Sequence, residues 1–281
     1  MFSDILLTVD YDRTLTDTHA QIPQRNLEAI RYFMDNGGTF TVNSGRSLPM
    51  TQCFRDTVPV NAPLLLYTGS AWYDTVTGQL DNCHLIDLDP MQVVYELQAK
   101  FPELTLEIQG VDHHYIFRKD PVWEEYIVKT GGSWAYATPD QTGPFLKFAV
   151  YGTFASTKHA DMYQITPREE ALFDEITAYI NRHWGDKLEL FRACPRILDL
   201  HAKGVSKLRS ARALQEKLGK KILVCVGDAE NDLAMLEGAD YAFCPSDGRV
   251  ADRFPNVCSC DAGAVADVIY EKIPVLLQNR A

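Results

Sequence analysis

The stretch Ile5-Leu6-Leu7-Thr8-Val9-Asp10-Tyr11-Asp12 sets the pattern for the chain, because a short apolar run ends directly in two carboxylates. Two later runs have the same form. Thr39-Phe40-Thr41-Val42 leads into a serine at position 44, and Ile222-Leu223-Val224-Cys225-Val226 leads into an aspartate at position 228. Short β-rich runs that end in turn-forming residues predict buried strands. We therefore predict three strands with polar side chains at their carboxyl ends.

Helical patterns separate these predicted strands. Residues 23–36 carry apolar side chains at helical spacing and end at Gly37-Gly38, as a helix with a glycine cap does. Residues 48–57 and 206–218 predict further helices, and residues 63–67 predict another buried strand. Alternation of strands and helices predicts an α/β fold with a doubly wound, Rossmann-like parallel sheet. Sites on such sheets lie beyond the carboxyl ends of the strands.

The middle of the chain has a different pattern. Predicted strands there occur in pairs, and Thr166-Pro167-Arg168-Glu169 has the form of a capping box that opens a long helix. We predict that residues 84–197 form an inserted α+β cap domain. Residues 1–83 and 198–281 would then form the core domain.

Composition excludes several classes of protein. The 281 residues are 46% hydrophobic, which suits a globular chain and excludes global disorder. The net charge of −11 argues against nucleic acid and anionic membranes as partners. The N-terminus lacks the basic region of a signal peptide, and the seven scattered cysteines suit a reducing compartment. We expect a cytoplasmic protein that is a monomer or a weak homodimer.

Three aspartates are candidates for metal chemistry. Asp10 and Asp12 stand two residues apart at one predicted strand end, and Asp228 stands at another. Neighbouring carboxylates repel one another, and a hard divalent ion such as Mg²⁺ removes that conflict. The alternative is that these aspartates cap helices or bind turn amides, as strand-terminal aspartates often do.

A serine and a lysine are candidates for anion binding. The Ser44 hydroxyl can donate to an anion, and Gly45 lets backbone amides approach it closely. Lys207 begins a predicted helix, where a positive charge opposes the helix dipole unless an anion lies nearby. The alternatives are an ordinary Ser-Gly turn and a solvated surface lysine.

Four motifs in this order resemble those of the haloacid dehalogenase-like hydrolases. Asp10-Tyr11-Asp12-Arg13-Thr14-Leu15 resembles their Asp-x-Asp-Gly-Thr-Leu signature, and Asn43-Ser44-Gly45-Arg46 resembles their second motif. Gly204-Val205-Ser206-Lys207 is similar to the third. Gly227-Asp228-Ala229-Glu230-Asn231-Asp232 is similar to the fourth, in the form typical of the Cof-like branch, whose cap is inserted between motifs two and three.

The resemblance implies a phosphatase that acts on a small phosphorylated metabolite, with sugar phosphates the first class to test. Asp10 would be the nucleophile that forms an aspartyl-phosphate. Asp12 would be the general acid and then the general base. Ser44 and Lys207 would hold the transferring phosphoryl group, with Gly45 beside them. The cap would close over the substrate and determine specificity.

The resemblance also implies Mg²⁺ as cofactor. Asp10, the backbone carbonyl of Asp12 and Asp228 would bind the ion. Asn231 would contact the phosphate, and Asp232 would orient the lysine or metal-bound water. Arg13, Arg46, His113 and His114 are further candidates for substrate contacts.

The chain departs from the family pattern in two places. Arg13 replaces the family's glycine, so it is strained if the position needs a positive φ, or it supplies a cation to the substrate or to cap closure. Tyr67-Thr68-Gly69-Ser70-Ala71 stands where Cof-like relatives usually have Asn-Gly-Ala. Two other functions stay open: a phosphotransferase or phosphomutase that uses the same intermediate, and a catalytically silent binding protein.

Overall fold

A computed structural model of the protein describes residues 1–152 and 164–278. Its strands, in chain order, are β1 (Ile5–Val9), β2 (Thr39–Val42), β3 (Leu64–Leu66), β4 (Ala71–Asp74), β5 (Gln79–Asp81), β6 (Thr105–Gln109), β7 (His114–Ile116), β8 (Trp134–Tyr136), β9 (Lys147–Tyr151), β10 (Leu188–Cys194), β11 (Ile197–Ala202), β12 (Ile222–Val226), β13 (Tyr241–Pro245) and β14 (Asn256–Val257). Its α-helices are α1 (Gln24–Asp35), α2 (Pro90–Lys100), α3 (Pro121–Lys129), α4 (Pro167–Trp184), α5 (Lys207–Lys217), α6 (Leu233–Glu237), α7 (Ala264–Asp267) and α8 (Ile273–Gln278). Within the described ranges, the helices are too short or too polar to cross a membrane.

The chain divides into two compact units. The first unit contains Met1–Gly45, Arg55–Asp81 and the chain from Ser206 onward, and the second unit contains Arg46–Phe54 and the described part of Asn82–Val205. Sequence analysis placed residues 46–54 in the core domain and the cap boundaries at residues 84 and 197. The structure groups the segment 46–54 with the second unit, in which Ser47 hydrogen-bonds His114.

The first unit is built on a parallel sheet, as predicted. Its strand order is β14-β13-β12-β1-β2, and each neighbouring pair is parallel. Both β1 and β12 are buried along their whole length, which explains their continuous apolar sequences. One face packs on α5 and α6 through side chains such as Leu6, Leu223 and Leu214. The alternate side chains of β1, including Leu7 and Val9, are equally buried, so both faces of the sheet are covered.

Residues 63–67 contribute a strand, but that strand belongs to a separate sheet. β3 pairs antiparallel with β4, and β4 pairs with β5, neither of which the sequence analysis predicted. β3 meets the parallel sheet through one bridge, between Asn43 and Leu65. The chain reverses after β3 because Tyr67, Thr68 and Gly69 all adopt positive φ values, of 51°, 57° and 96°.

The predicted helix at residues 48–57 is wrong in extent. Only Pro49–Cys53 is helical, and it forms a short 3₁₀ helix. Thr51, Cys53 and Thr57 have low helix propensity, so little besides tertiary contacts holds this segment.

The capping box at residue 166, by contrast, is confirmed. Thr166 Oγ1 accepts from the Glu169 amide at 3.3 Å, and the Glu169 carboxylate accepts from the Thr166 amide at 2.8 Å.

The second unit is built on a six-stranded sheet with the order β10-β11-β9-β6-β7-β8. Its pairs are antiparallel except for β7 with β8. One face is apolar and packs on α2 and α4, with Ile108, Phe148 and Phe173 among its buried side chains. The opposite face carries buried polar side chains on its central strands, including Glu107 and Lys147.

Candidate active site

Three neighbouring strands of the parallel sheet bring the predicted site residues to one edge. β1 lies between β12 and β2, so Asp10, Asp228 and Ser44 all follow carboxyl ends at the same edge. Two backbone bonds continue the strand pairing into the loops: the Asp10 amide donates to Val226 at 2.9 Å, and the Asn43 amide donates to Val9 at 2.8 Å. The sheet register therefore fixes where each loop begins.

Arg13 occupies a backbone conformation that favours glycine. The turn Tyr11–Leu15 follows β1, and within it Arg13 has φ 56° and ψ 13°. Its amide donates to Thr16 Oγ1 at 3.0 Å, while the Thr14 hydroxyl donates to Asp228 Oδ1 at 3.2 Å. The position thus requires a left-handed residue, and the arginine is strained there.

Lys207 is buried between two carboxylates. It begins α5 after the N-cap Ser206, and only 1% of its surface is exposed. Its Nζ donates to Asp10 Oδ1 at 2.5 Å and to Asp232 Oδ1 at 2.7 Å. Burial lowers the pKa of Lys207, but the two carboxylates more than offset this and raise it, so the amine stays charged. The alternative of a solvated surface lysine is wrong.

Asp10, Asp228 and Asp232 form a compact acidic cluster. One oxygen from each carboxylate lies within 4.8 Å of the other two, and all three side chains are buried. Burial raises the pKa of Asp10 to about 7, against the opposing effect of Lys207. Burial, followed by the charges of Asp232 and Asp10, raises the pKa of Asp228 well above its usual value. One ammonium group faces three carboxylates, so this cluster has the donors and the surplus negative charge that suit a hard divalent cation.

The cluster contains two carboxylates of the predicted metal site, Asp10 and Asp228, together with Asp232. The backbone carbonyl of Asp12 stays a predicted ligand. Asp232 also holds its own loop, because its Oδ2 accepts from the amides of Asp228 at 3.0 Å and Ala229 at 3.3 Å. A side chain at Gly227 would come within 2.6 Å of Asp232, which explains the glycine. Asn231 is half-buried on the same one-turn helix, Glu230–Asp232.

Ser44 is held by a strained turn that also contacts the start of α5. The Ser44 amide donates to Leu65 at 2.8 Å, and its carbonyl accepts from the Thr68 amide at 3.0 Å. A Cβ at Gly69 would lie 2.6 Å from the Ser206 carbonyl oxygen, so the turn and the helix start pack without room for a side chain. The motif around Ser44 and the motif around Lys207 are therefore fixed to one another.

Two further residues of the site were not predicted. The Asn43 side chain donates to the Lys207 carbonyl at 3.0 Å, and Thr14 donates to Asp228. Both residues lie within the quoted motifs: Asn43 directly precedes Ser44, and Thr14 follows Asp12 by two positions. Motif membership was therefore the one sequence signal that pointed to them. Their partners are distant in sequence, and only the fold supplies them.

The remaining candidate contacts lie in the second unit. Arg46 has its Nη1 3.7 Å from Cys53 Sγ, within the segment 46–54. His113 is exposed and has its Nδ1 3.1 Å from Asp112 Oδ2. His114 is 1% exposed, and its ring contacts Glu107 and Ser47. A role for these residues in substrate binding stays a prediction.

Replacing Lys207 with methionine should destabilise the metal-free protein by about 3–5 kcal/mol at pH 8, because buried carboxylates lose their counter-charge. The loss should be smaller at pH 5, where Asp10, with its pKa raised to about 7, carries a proton and needs less compensation. Urea unfolding in EDTA at both pH values measures this. Lys203→Met, at a half-exposed lysine, is the control and should change stability by less than about 0.5 kcal/mol. Equal losses at the two pH values would contradict the argument.

Replacing Arg13 with glycine should stabilise the fold by about 1 kcal/mol, because relief of left-handed strain exceeds the greater chain entropy of glycine. Urea unfolding measures the change. Arg13→Ala is the matched control: alanine keeps a Cβ at the same φ of 56° and should bring no such gain. Equal stability of the two variants would show that the strain is not in the backbone.

Comparison with known proteins agrees with this geometry. A model of the haloacid dehalogenase-like hydrolase family matches residues 7–250. The 5-amino-6-(5-phospho-D-ribitylamino)uracil phosphatase of Bacillus subtilis is 23% identical over 238 residues, which are 83% of this chain and 80% of that protein. A protein of Streptococcus pyogenes serotype M6 that is named as a phosphatase is 38% identical over 251 residues, 83% of each chain.

Solved structures share the fold. A haloacid dehalogenase-like hydrolase from Bacteroides thetaiotaomicron superposes with a TM-score of 0.77 at 18% identity, covering 95% of this chain and 99% of that one. A sugar phosphatase of haloacid dehalogenase subclass IIB superposes with a TM-score of 0.73 at 14% identity, covering 94% and 97%. The motifs, the fold and the family match agree: the chain belongs to the Cof-like branch of the haloacid dehalogenase-like hydrolases.

Proposed function

We propose that the protein is a Mg²⁺-dependent phosphatase that hydrolyses a small phosphorylated metabolite through an aspartyl-phosphate on Asp10. The observation that carries this proposal is the buried arrangement of Lys207 with Asp10, Asp228 and Asp232 at the end of β1. A nucleophilic carboxylate, a fixed ammonium group and two further carboxylates are the groups that phosphoryl transfer requires.

The donor set fits Mg²⁺. Its carboxylate oxygens are the ligands that hard cations prefer, and Mg²⁺ binds through few protein carboxylates while keeping waters and substrate oxygens. Asp10, Asp228 and the backbone carbonyl of Asp12 would hold the ion, while Asp232 keeps Lys207 in place. When bound, Mg²⁺ would neutralise charge on the transferring phosphoryl group.

The side chains supply the remaining chemistry. An Asp10 oxygen forms a bond to phosphorus as the ester P–O bond breaks, and Asp12 gives its proton to the departing oxygen. Lys207 and the Ser44 hydroxyl, with the Gly45 and Asn231 groups beside them, hold the equatorial oxygens. Asp12 then takes a proton from water, which attacks phosphorus and releases phosphate from Asp10.

We propose phosphorylated sugars and related polyols as the substrate class. Support comes from the names of the relatives, one a phosphatase of a phosphoribityl compound and another a sugar phosphatase. Residues 1–83 and 198–281 would form the catalytic core domain, and residues 84–197 would be the cap that determines specificity. We place the protein in the cytoplasm, since no disulfide joins its seven cysteines in the described residues.

The first test is phosphate release from an aryl phosphate and a panel of sugar phosphates, with Mg²⁺ and with EDTA. Release should require Mg²⁺, and Asp10→Asn should abolish it while leaving circular dichroism and thermal unfolding near wild type. Retained turnover in Asp10→Asn would overturn the nucleophile assignment. Metal-dependent transfer only to an added sugar acceptor would instead indicate a phosphotransferase, and folded, Mg²⁺-bound protein without any turnover would indicate a binding protein.

The same assay tests the side chain of Arg13. If it supplies a cation to the substrate or to cap closure, the Arg13→Gly variant described above should show a higher KM or a lower kcat on the best substrate. Unchanged kinetic constants would leave Arg13 with its backbone strain and no part in binding.

Mg²⁺ affinity should rise about tenfold from pH 6 to pH 8, because a protonated ligand must lose its proton before it binds the ion. Asp10, with its pKa raised to about 7, is mostly protonated at pH 6 and mostly ionised at pH 8. Isothermal titration calorimetry at the two pH values measures the change. Titrations in buffers of different ionisation enthalpy should show proton release at pH 6, and equal affinities without proton release would contradict the prediction.

A further inference from the structure

A second buried polar cluster lies outside the acidic site, within the second unit. Ser47, His114 and Glu107 are 0%, 1% and 0% exposed. Ser47 Oγ and His114 Nε2 share a hydrogen bond of 2.7 Å, and His114 Nδ1 lies 2.7 Å from Glu107 Oε1. The imidazole thus hydrogen-bonds the hydroxyl on one side and lies against the carboxylate on the other.

The carboxylate end of this cluster is firmly held. Glu107 stands on β6 and His114 on β7, which are paired antiparallel. The side chain of Gln109 donates to Glu107 at 2.6 Å, and the indole of Trp123 on α3 donates to its other oxygen. Burial raises the pKa of Glu107, but the adjacent imidazole and these hydrogen bonds more than offset this and lower it. Glu107 is therefore a fixed negative charge beside the His114 ring.

The hydroxyl end belongs to a segment with little structure of its own. Ser47 lies three residues after Ser44, in the segment 46–54, whose only regular element is the short helix Pro49–Cys53. This segment otherwise rests on a glycine turn after α3, where a Cβ at Gly131 would lie 3.4 Å from the Pro49 carbonyl oxygen. The hydrogen bond to His114 is thus the directional contact that ties Ser47 to the sheet of the second unit.

We propose that Ser47, His114 and Glu107 are positioning residues for the phosphatase reaction, acting through Ser44. The backbone of Ser44 is fixed on one side by Leu65 and Thr68, and the chain leaves it through Gly45 and Arg46 to Ser47. Anchoring Ser47 fixes the second end of this short loop. An apolar contact would bury the segment equally well, whereas a hydroxyl, imidazole and carboxylate in series fix its register. The inference rests on the proposed role of Ser44 in holding the phosphoryl group.

The order of groups also matches that of a nucleophilic serine hydrolase. The Ser47 hydroxyl has no exposed surface, so a substrate cannot reach it. The cluster therefore acts on the position of the loop rather than as a second catalytic centre. A fluorophosphonate probe should leave Ser47 unmodified, and its labelling would overturn the positioning role.

The test compares Ser47→Ala and His114→Gln with wild type. Each should lower kcat about tenfold or more and raise KM by a smaller factor, because a misplaced group that holds the phosphoryl oxygens loses more transition-state than ground-state binding. Affinity for inorganic phosphate should fall as well, while Mg²⁺ affinity stays at the wild-type value. The double variant should lose no more than the larger single loss, because both changes break the same link.

Thr51→Val is the matched control. Thr51 lies in the same segment, is equally buried and donates its hydroxyl to the Leu48 carbonyl at 2.7 Å, with no link to the sheet. It should keep wild-type kcat and phosphate affinity.

Wild-type kinetics and phosphate affinity in Ser47→Ala, or losses that multiply in the double variant, would overturn the inference. If His114→Gln does not fold, Ser47→Ala decides alone. Wild-type protein without metal-dependent phosphate release would contradict the proposed function, a separate failure.

Discussion

The ammonium group of Lys207 holds the first unit's loops in register. Lys207 lies in the first turn of α5. The start of this helix is fixed beside Ser44 by the Asn43 side chain, which donates to the Lys207 carbonyl, and by the turn at Gly69, which packs on Ser206. The two acceptors of the ammonium group come from different strand ends, Asp10 after β1 and Asp232 after β12. Three buried carboxylates without this charge would repel one another and separate the loops. The ion pairs that form the candidate site thus also hold together the loops at the carboxyl ends of the parallel strands.

Three of the five non-glycine residues with positive φ among the described residues lie in loops beside the candidate site. Arg13 follows the nucleophile candidate in a left-handed conformation, and Tyr67 and Thr68 adopt the same region beside Ser44. None of these residue types favours that region, so the surrounding hydrogen bonds must hold them there. Local preference and observed structure disagree at these loops, while along β1, β12 and α4 they agree. Conflict between local backbone preference and the observed conformation is expected at functional sites, where the conformation is set by the function.

Sequence patterns predicted the elements whose determinants are local. Apolar runs ending in Asp10, Ser44 and Asp228 predicted the parallel strands and the edge where their side chains meet, and the capping box predicted the start of α4. The hairpin β3–β4 was missed because it depends on three consecutive positive φ values, two at residues other than glycine. The link from Ser47 to His114 spans 67 positions, and no spacing rule could connect them.

The segment 46–54 changes how the second unit is joined to the first. An inserted domain is usually attached by two linkers, but here the chain passes between the units after Gly45, Phe54, Asp81 and Val205. Excising residues 82–205 would remove His114, which hydrogen-bonds Ser47, and the Gly131-Gly132 turn beside the buried Met50. The inserted segment 82–205 therefore cannot be exchanged on its own. Recombination that replaces it with another domain must also replace the nine residues 46–54, which follow the second motif. Over evolutionary time the two parts of the chain are expected to change together.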